Sequence, residues 1–63
     1  MNRNEIAELP FLEMLSALGT TQAELNRRWG IPLRTMSHWV AGDRQCPIYL
    51  RRMLIDLLHQ AEG

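Results

Sequence analysis

The side chains best suited to chemistry in this chain of 63 residues are its arginines. All seven basic residues are arginine, and six of them lie between residues 25 and 55, where Asp43 is the only acidic residue. A guanidinium group donates through a planar fork that fits the oxygens of anionic groups such as carboxylate and phosphate. Acidic residues elsewhere bring the formal net charge to zero. The asymmetry indicates a surface that binds anions, and a solvated helix face is the alternative.

Catalytic and metal-binding chemistry is not predicted. His38 and His59 are far apart in the sequence, and Cys46 has no partner at the spacing of metal ligands. No nucleophile lies at helical spacing from a base, and there is no phosphate-binding loop. A domain of this length buries only ~60% of the surface that its unfolded chain exposes, which leaves little room for a substrate cleft. We expect a protein that is not an enzyme and has no cofactor, metal or small-molecule ligand.

The cellular location is predicted from the cysteine count, the length of the apolar runs and the first residues. A single cysteine excludes an internal disulfide. No apolar run approaches the ~18 residues that cross a membrane. The first residues, Met-Asn-Arg-Asn-Glu, lack the apolar segment of a signal peptide. We therefore expect a cytoplasmic protein without a membrane partner.

Glycine and proline divide the chain into short segments with helical spacing of apolar residues. The spacing predicts helices over residues 10–18, 21–29, 32–41 and 47–60. Gly19, Gly30 and Gly42 supply the left-handed conformation in which many helices end. Residues 1–9 form either a helical turn or a mobile arm. Residues 1–63 are thus expected to form one all-α domain of four helices, or five if the first segment contributes one.

Local spacing also predicts helix caps and the core. Asn2 with Glu5, and Thr21 with Glu24, have the spacing of a capping box. Inward-facing positions are predicted for Met14, Trp29, Met36, Trp39 and Met53.

The segment from Thr20 to Pro47 resembles, without gaps, the DNA-binding domain of phage repressors of the Cro/C1, XRE-type family. The resemblance is carried by TTQAEL at 20–25, GIP at 30–32, RTMSHWVAG at 34–42, and Pro47. It implies a compact lambda-repressor-like domain with a helix-turn-helix over 21–42. The recognition helix, 32–41, would enter the major groove, and the helix 47–60 would pack against the domain or form a dimer.

Three departures from the family pattern bear on this resemblance, and one of them is Val40, which stands where a glutamate is common. Pro32 stands where a serine or threonine usually caps the recognition helix, which removes a capping hydroxyl and a phosphate contact. Asn26 stands where the family prefers alanine, and it either opens the crossing of the two helices or bonds to the turn.

The resemblance assigns roles to individual residues. It implies base contacts by Leu33, Arg34, Ser37 and His38. It implies phosphate contacts by Thr21, Gln22, Arg28 and Arg44. Arg34 is the strongest candidate for specificity because a guanidinium can bind guanine through two hydrogen bonds.

The predicted function is sequence-specific binding of double-stranded DNA by a small bacterial or phage-type transcriptional regulator, a repressor. A homodimer is expected, because the helix 47–60 ends near the C-terminus, so that the final helix of typical family members is missing or vestigial and apolar surface would be left uncovered. Its interface is predicted at Leu50, Leu54, Leu57 and Leu58. The alternative is an antitoxin or another protein-interaction module on the same fold, which would act through a partner protein such as a toxin.

Overall fold

The computed structural model describes residues 2–59, and within them the chain forms five α-helices and no β-strand. The helices are α1 (Arg3–Ala7), α2 (Phe11–Ala17), α3 (Gln22–Trp29), α4 (Leu33–Ala41) and α5 (Ile48–Leu58). The predicted all-α class is confirmed. Of the two alternatives for residues 1–9, the structure has the helical one, α1. The predicted end of the last helix, Gln60, lies outside the described residues.

All four predicted helices begin one residue later than predicted, because the predicted first residue is the N-cap, and in three of them this N-cap is a proline. Pro10, Pro32 and Pro47 have extended ψ angles of 150°, 135° and 142°, and none provides a side-chain hydrogen bond. Proline fixes φ near the helical value, but it has no side-chain oxygen to accept from the first turn. As the sequence predicts, no side-chain hydroxyl at Pro32 caps the first turn of α4.

The two predicted capping boxes differ. The Asn2 side chain accepts from the Glu5 amide at 2.8 Å, and the Glu5 carboxylate accepts from the Asn2 amide at 3.0 Å, so this box is complete. Thr21 accepts from the Glu24 amide at 3.1 Å. The Glu24 carboxylate does not return to the cap, because it accepts from Arg27 at 2.5 Å instead. Only half of the second box is formed.

All five helices contribute to one core. Its buried residues are Ile6, Ala7, Phe11, Met14, Leu15, Leu18, Leu25, Met36, Cys46, Leu54 and Ile55. Trp29 and Trp39 are partly buried against this core, and the Trp39 ring meets Phe11 edge to face with centroids 5.1 Å apart. No helix within residues 2–59 is long and apolar enough to cross a membrane.

The rotation of α5 corrects two predictions. Leu54 is fully buried, so it is unavailable for the dimer interface predicted there, while Leu57 remains 54% exposed. Met53 was expected in the core and is 39% exposed. Leu50 and Leu58, one turn to either side of Leu54, are partly buried against the core. Helical spacing therefore turns the 50, 54, 58 row inward and the 49, 53, 57 row outward.

Arg51 joins α5 to the end of α1. Its Nη1 atom donates to the backbone oxygens of Ala7 at 3.2 Å and Leu9 at 2.5 Å. The last carbonyls of a helix have no partner within the helix, and a cationic donor also suits the negative end of the helix dipole. Arg3 and Asp56 form an ion pair between the same two helices. Arg51 thus has a structural role through its Nη1 atom.

Replacing Arg51 with methionine is expected to lower the free energy of unfolding by about 2 kcal/mol, since charge-assisted hydrogen bonds to two carbonyls are lost. Urea denaturation followed by circular dichroism measures this change. Arg52→Met is the matched control, because Arg52 is exposed on the same helix, and it should change the free energy by less than about 0.5 kcal/mol. Equal effects of the two substitutions would contradict the structural role of Arg51.

Candidate functional site

Helices α3 and α4 pack against each other and are joined by a short turn, Gly30 to Pro32. Gly30 has a φ angle of 72°, and its amide donates to the Asn26 carbonyl at 2.9 Å. The Asn26 side chain donates to the Ile31 carbonyl at 2.9 Å. Of the two roles considered for Asn26, the structure has the bond to the turn. Backbone and side chain of Asn26 therefore hold the first two residues of the turn that leads into α4.

The conformation of Gly30 gives a test of this turn. A Cβ atom at Gly30 would meet nothing within 4 Å, so a substitution acts through backbone strain alone. Gly30→Ala is expected to lower the free energy of unfolding by about 1 kcal/mol. Gly30→Asn should lower it less, because asparagine tolerates the left-handed region better. Thermal denaturation of both variants measures the difference, and an alanine variant as stable as the wild type would contradict it.

The residues predicted to contact bases lie along the outer side of α4. Met36 is fully buried, whereas Leu33 is 49% exposed and Arg34 and Ser37 are exposed. His38 lies one turn after Arg34, and its side chain is 44% exposed. A helix places residues four apart on the same side. The structure thus gathers all four predicted residues on one helix, away from the core.

Two of these four side chains already have partners. The Ser37 hydroxyl donates to the Leu33 carbonyl at 3.0 Å, so its proton is used within the helix and its oxygen is left to accept. His38 Nδ1 lies 3.2 Å from Asp43 Oδ2. The sequence reasoning did not include Asp43 in the site. The available signal was its position immediately after the helix-ending Gly42, where a chain reversal brings it back toward α4.

The four predicted phosphate-binding residues lie at three places. Thr21 and Gln22 are at the start of α3, where backbone amides and the helix dipole favour an anion. Arg28 is at the end of α3, with its guanidinium carbon 4.6 Å from the Trp29 ring centre. Arg44 is exposed in the loop after α4. A cation above an aromatic face keeps its charge available to a further partner.

The ion pairs divide the arginines into two groups. The hydrogen bond from Arg27 lowers the pKa of Glu24, and the same bond raises the pKa of Arg27, so both groups stay charged and pair with each other. Arg3 pairs with Asp56, and Arg51 binds backbone carbonyls. Among residues 2–59 no carboxylate pairs with the remaining arginines, which are Arg28, Arg34, Arg44 and Arg52. Three of these four belong to α3, to α4 or to the loop that follows α4.

The rest of the described chain offers little alternative chemistry. An open cleft of about 610 Å³ lies between the segment Glu8–Pro10 and the segment Gln45–Ile48. Cys46 lines it, but burial raises the pKa of its thiol, which disfavours the reactive thiolate. No group of three potential metal ligands is found among residues 2–59.

Comparison of the chain with models of protein families, with curated proteins and with solved structures finds no match. The functional interpretation therefore depends on the resemblance seen in the sequence and on the geometry of α3 and α4.

Proposed function

We propose that this protein is a sequence-specific regulator of transcription, a small cytoplasmic repressor of bacterial or phage type that binds double-stranded DNA with α4 in the major groove. One observation carries the proposal. Arg34 is exposed at the start of α4, directly after a turn fixed by Gly30 and Asn26, and no carboxylate among residues 2–59 neutralises it. A guanidinium in that position is suited to the O6 and N7 atoms of guanine.

The other residues of α4 have complementary roles in this proposal. Leu33 contacts a thymine methyl group, His38 binds a base edge, and the Ser37 oxygen accepts from a base amino group. Thr21, Gln22, Arg28 and Arg44 contact the phosphate backbone on either side, which fixes the register of α4 along the groove.

A homodimer fits the low charge of the chain. A protein with zero net charge gains little affinity for DNA from general electrostatics. A dimer that binds two half-sites at once gains the affinity that a single protomer lacks. We propose that the exposed row of Tyr49, Met53 and Leu57 forms the interface. An antiparallel arrangement about a two-fold axis would also bring Arg52 of one protomer near Asp56 of the other. To bind successive major grooves, the two copies of α4 in such a dimer would have to lie about 34–36 Å apart.

Selection of duplexes from a random library by the purified protein tests the function. An enriched sequence with two related halves is expected. Fluorescence anisotropy with the enriched and a scrambled duplex should then show preference for the enriched one. If Arg28 and Arg44 of two protomers each neutralise a phosphate, the slope of log K against log salt should be about −4. The absence of any enriched sequence, or equal weak binding to the enriched and the scrambled duplex, would overturn the proposal.

A second candidate function is that of an antitoxin or another interaction module. It is favoured by the exposed apolar side chains of α5, Ile48, Tyr49, Met53 and Leu57, which suit a protein partner as well as a second copy. Expression together with the neighbouring gene product, followed by affinity purification, separates the two. A stoichiometric complex with that gene product, lost on Tyr49→Asp, would favour the interaction module. A homodimer that does not bind that gene product would favour the repressor.

A further inference from the structure

The loop after α4 turns back and sets an acidic side chain against the end of that helix. Gly42 has a φ angle of 90°. The amides of Gly42, Asp43 and Arg44 lie 2.9, 3.1 and 3.5 Å from the same acceptor, the His38 carbonyl oxygen. This reversal brings Asp43 Oδ2 to 3.2 Å from His38 Nδ1. Backbone and side chain of Asp43 therefore both contact His38.

The contact decides which nitrogen of the neutral ring carries the proton. A neutral imidazole has one N–H donor and one acceptor nitrogen, whereas an ionised carboxylate only accepts. Beside Asp43, the proton of His38 must lie on Nδ1 for a hydrogen bond to form. Nε2 is then an acceptor, and it is the ring nitrogen left for a ligand.

An acceptor in the major groove selects among the bases. The amino groups of adenine and cytosine donate there, while guanine O6 and N7 and thymine O4 accept. Nε2 as an acceptor therefore matches adenine or cytosine and mismatches the edges of guanine and thymine. Arg34, one turn earlier on α4, presents hydrogen-bond donors only. Arg34 would therefore bind acceptor atoms of the bases, and His38 would bind a donor.

We propose that Asp43 is a positioning residue for DNA recognition, which holds His38 as the Nδ1–H tautomer so that its Nε2 atom accepts from the amino group of an adenine or a cytosine. This inference rests on the proposed function for the base contact. The positioning of His38 can be tested without DNA.

Nuclear magnetic resonance of the imidazole nitrogens tests the positioning. Spectra of the free protein are recorded at about pH 8.5, where an imidazole in water is neutral. The chain has two histidines, and His38→Gln identifies the signals of His38. The wild type is expected to show Nδ1–H, and Asp43→Ala should shift the population toward Nε2–H. Asp43→Asn should keep Nδ1–H because its amide oxygen also accepts. A wild type with Nε2–H, or no change in Asp43→Ala, would overturn the proposal.

Binding to variants of the selected duplex tests the base contact. Each base pair is changed in turn, and Asp43→Ala is expected to lower discrimination at one position about fivefold, as the loss of one hydrogen bond would. Asp43→Asn removes the same negative charge but should keep the discrimination. Both should bind all duplexes somewhat more tightly because a repulsion from phosphates is removed. In a His38→Ala background, Asp43→Ala should leave discrimination unchanged. Equal loss in both Asp43 variants, or loss in neither, would overturn the base contact.

The outcomes separate this inference from the proposed function. A wild type that enriches no sequence overturns DNA recognition and the base contact with it, while the tautomer measurement still decides whether Asp43 positions His38. A wild type that reads DNA through Arg34, with discrimination that does not respond to Asp43→Ala, overturns this inference alone.

Discussion

Arg34→Ala is expected to remove most of the sequence preference of the protein. In the proposed complex, a guanidinium bound to guanine through two hydrogen bonds contributes about 1–3 kcal/mol of discrimination, so affinity for the selected duplex should fall about 5- to 150-fold for each half-site. Affinity for a scrambled duplex should fall much less. Fluorescence anisotropy with both duplexes at one fixed salt concentration measures the two changes.

Two control variants make the result on Arg34 specific. Arg34→Lys keeps the charge but loses the planar fork, so it should keep affinity for the scrambled duplex and lose part of the discrimination. Arg3→Ala removes one positive charge from α1, outside the helix-turn-helix, and should leave the preference unchanged. Equal loss of affinity for both duplexes in Arg34→Ala would mean that Arg34 contacts phosphate, and the base contact would be wrong.

Leu54→Ala is expected to have the largest effect on stability. Leu54 is completely buried, and truncating a buried leucine to alanine costs about 2–5 kcal/mol because it removes apolar contacts and leaves a cavity. A domain of this length has a total stability of roughly 3–9 kcal/mol. The variant should therefore lose a large part of its stability and unfold at a much lower urea concentration than the wild type. Urea denaturation followed by tryptophan fluorescence is a suitable measurement, since Trp29 and Trp39 both pack against the core.

Leu57→Ala is the matched control on the same helix. Leu57 is 54% exposed, so the change should lower the free energy of unfolding of the monomer by less than about 1 kcal/mol. In the proposed dimer it should instead weaken association, which sedimentation at several protein concentrations detects. Similar loss of stability in the two variants would contradict the orientation of α5 described here.

Much of the fold follows from local sequence signals. The glycines after α3 and α4 and the prolines before α2, α4 and α5 act within one or two residues of their own position, so the helix limits could be predicted almost to the residue. The same applies to the capping box of Asn2 and Glu5. Its helix, α1, has only five residues, and whether it forms depends on distant contacts that no local signal contains.

The rotation of α5 could not be predicted because its apolar residues cover too wide an arc. Leu50, Met53, Leu54, Leu57 and Leu58 are all compatible with an inward stripe. Packing against the other helices decides that Leu54 is inside and Met53 and Leu57 are outside. The role of Arg51 is hidden for a related reason, since its acceptors are 42 and 44 positions away in the sequence.

The four predicted base-contact residues of α4 lie on one side of the helix because they form two pairs four residues apart, and this follows from the helical period alone. The contact between His38 and Asp43 depends on the left-handed conformation of Gly42. Its prediction would require both the end of the helix and the path of the residue that follows it. Side-chain partners across a chain reversal are set by backbone angles, which residue types alone specify only in part.

The bonds between α1 and α5 also set the order of events during synthesis. Arg3 and Asp56 are 53 positions apart, which a ribosome covers in about 3–10 s. Until α5 has been made, the last carbonyls of α1 lack the arginine that binds them, and Leu54 and Ile55 are missing from the core. Residues 21–42 are complete well before that point. The pair of helices α3 and α4 is therefore translated early but gains its supporting core late, so this pair should not fold stably in a nascent chain before α5 has left the ribosome.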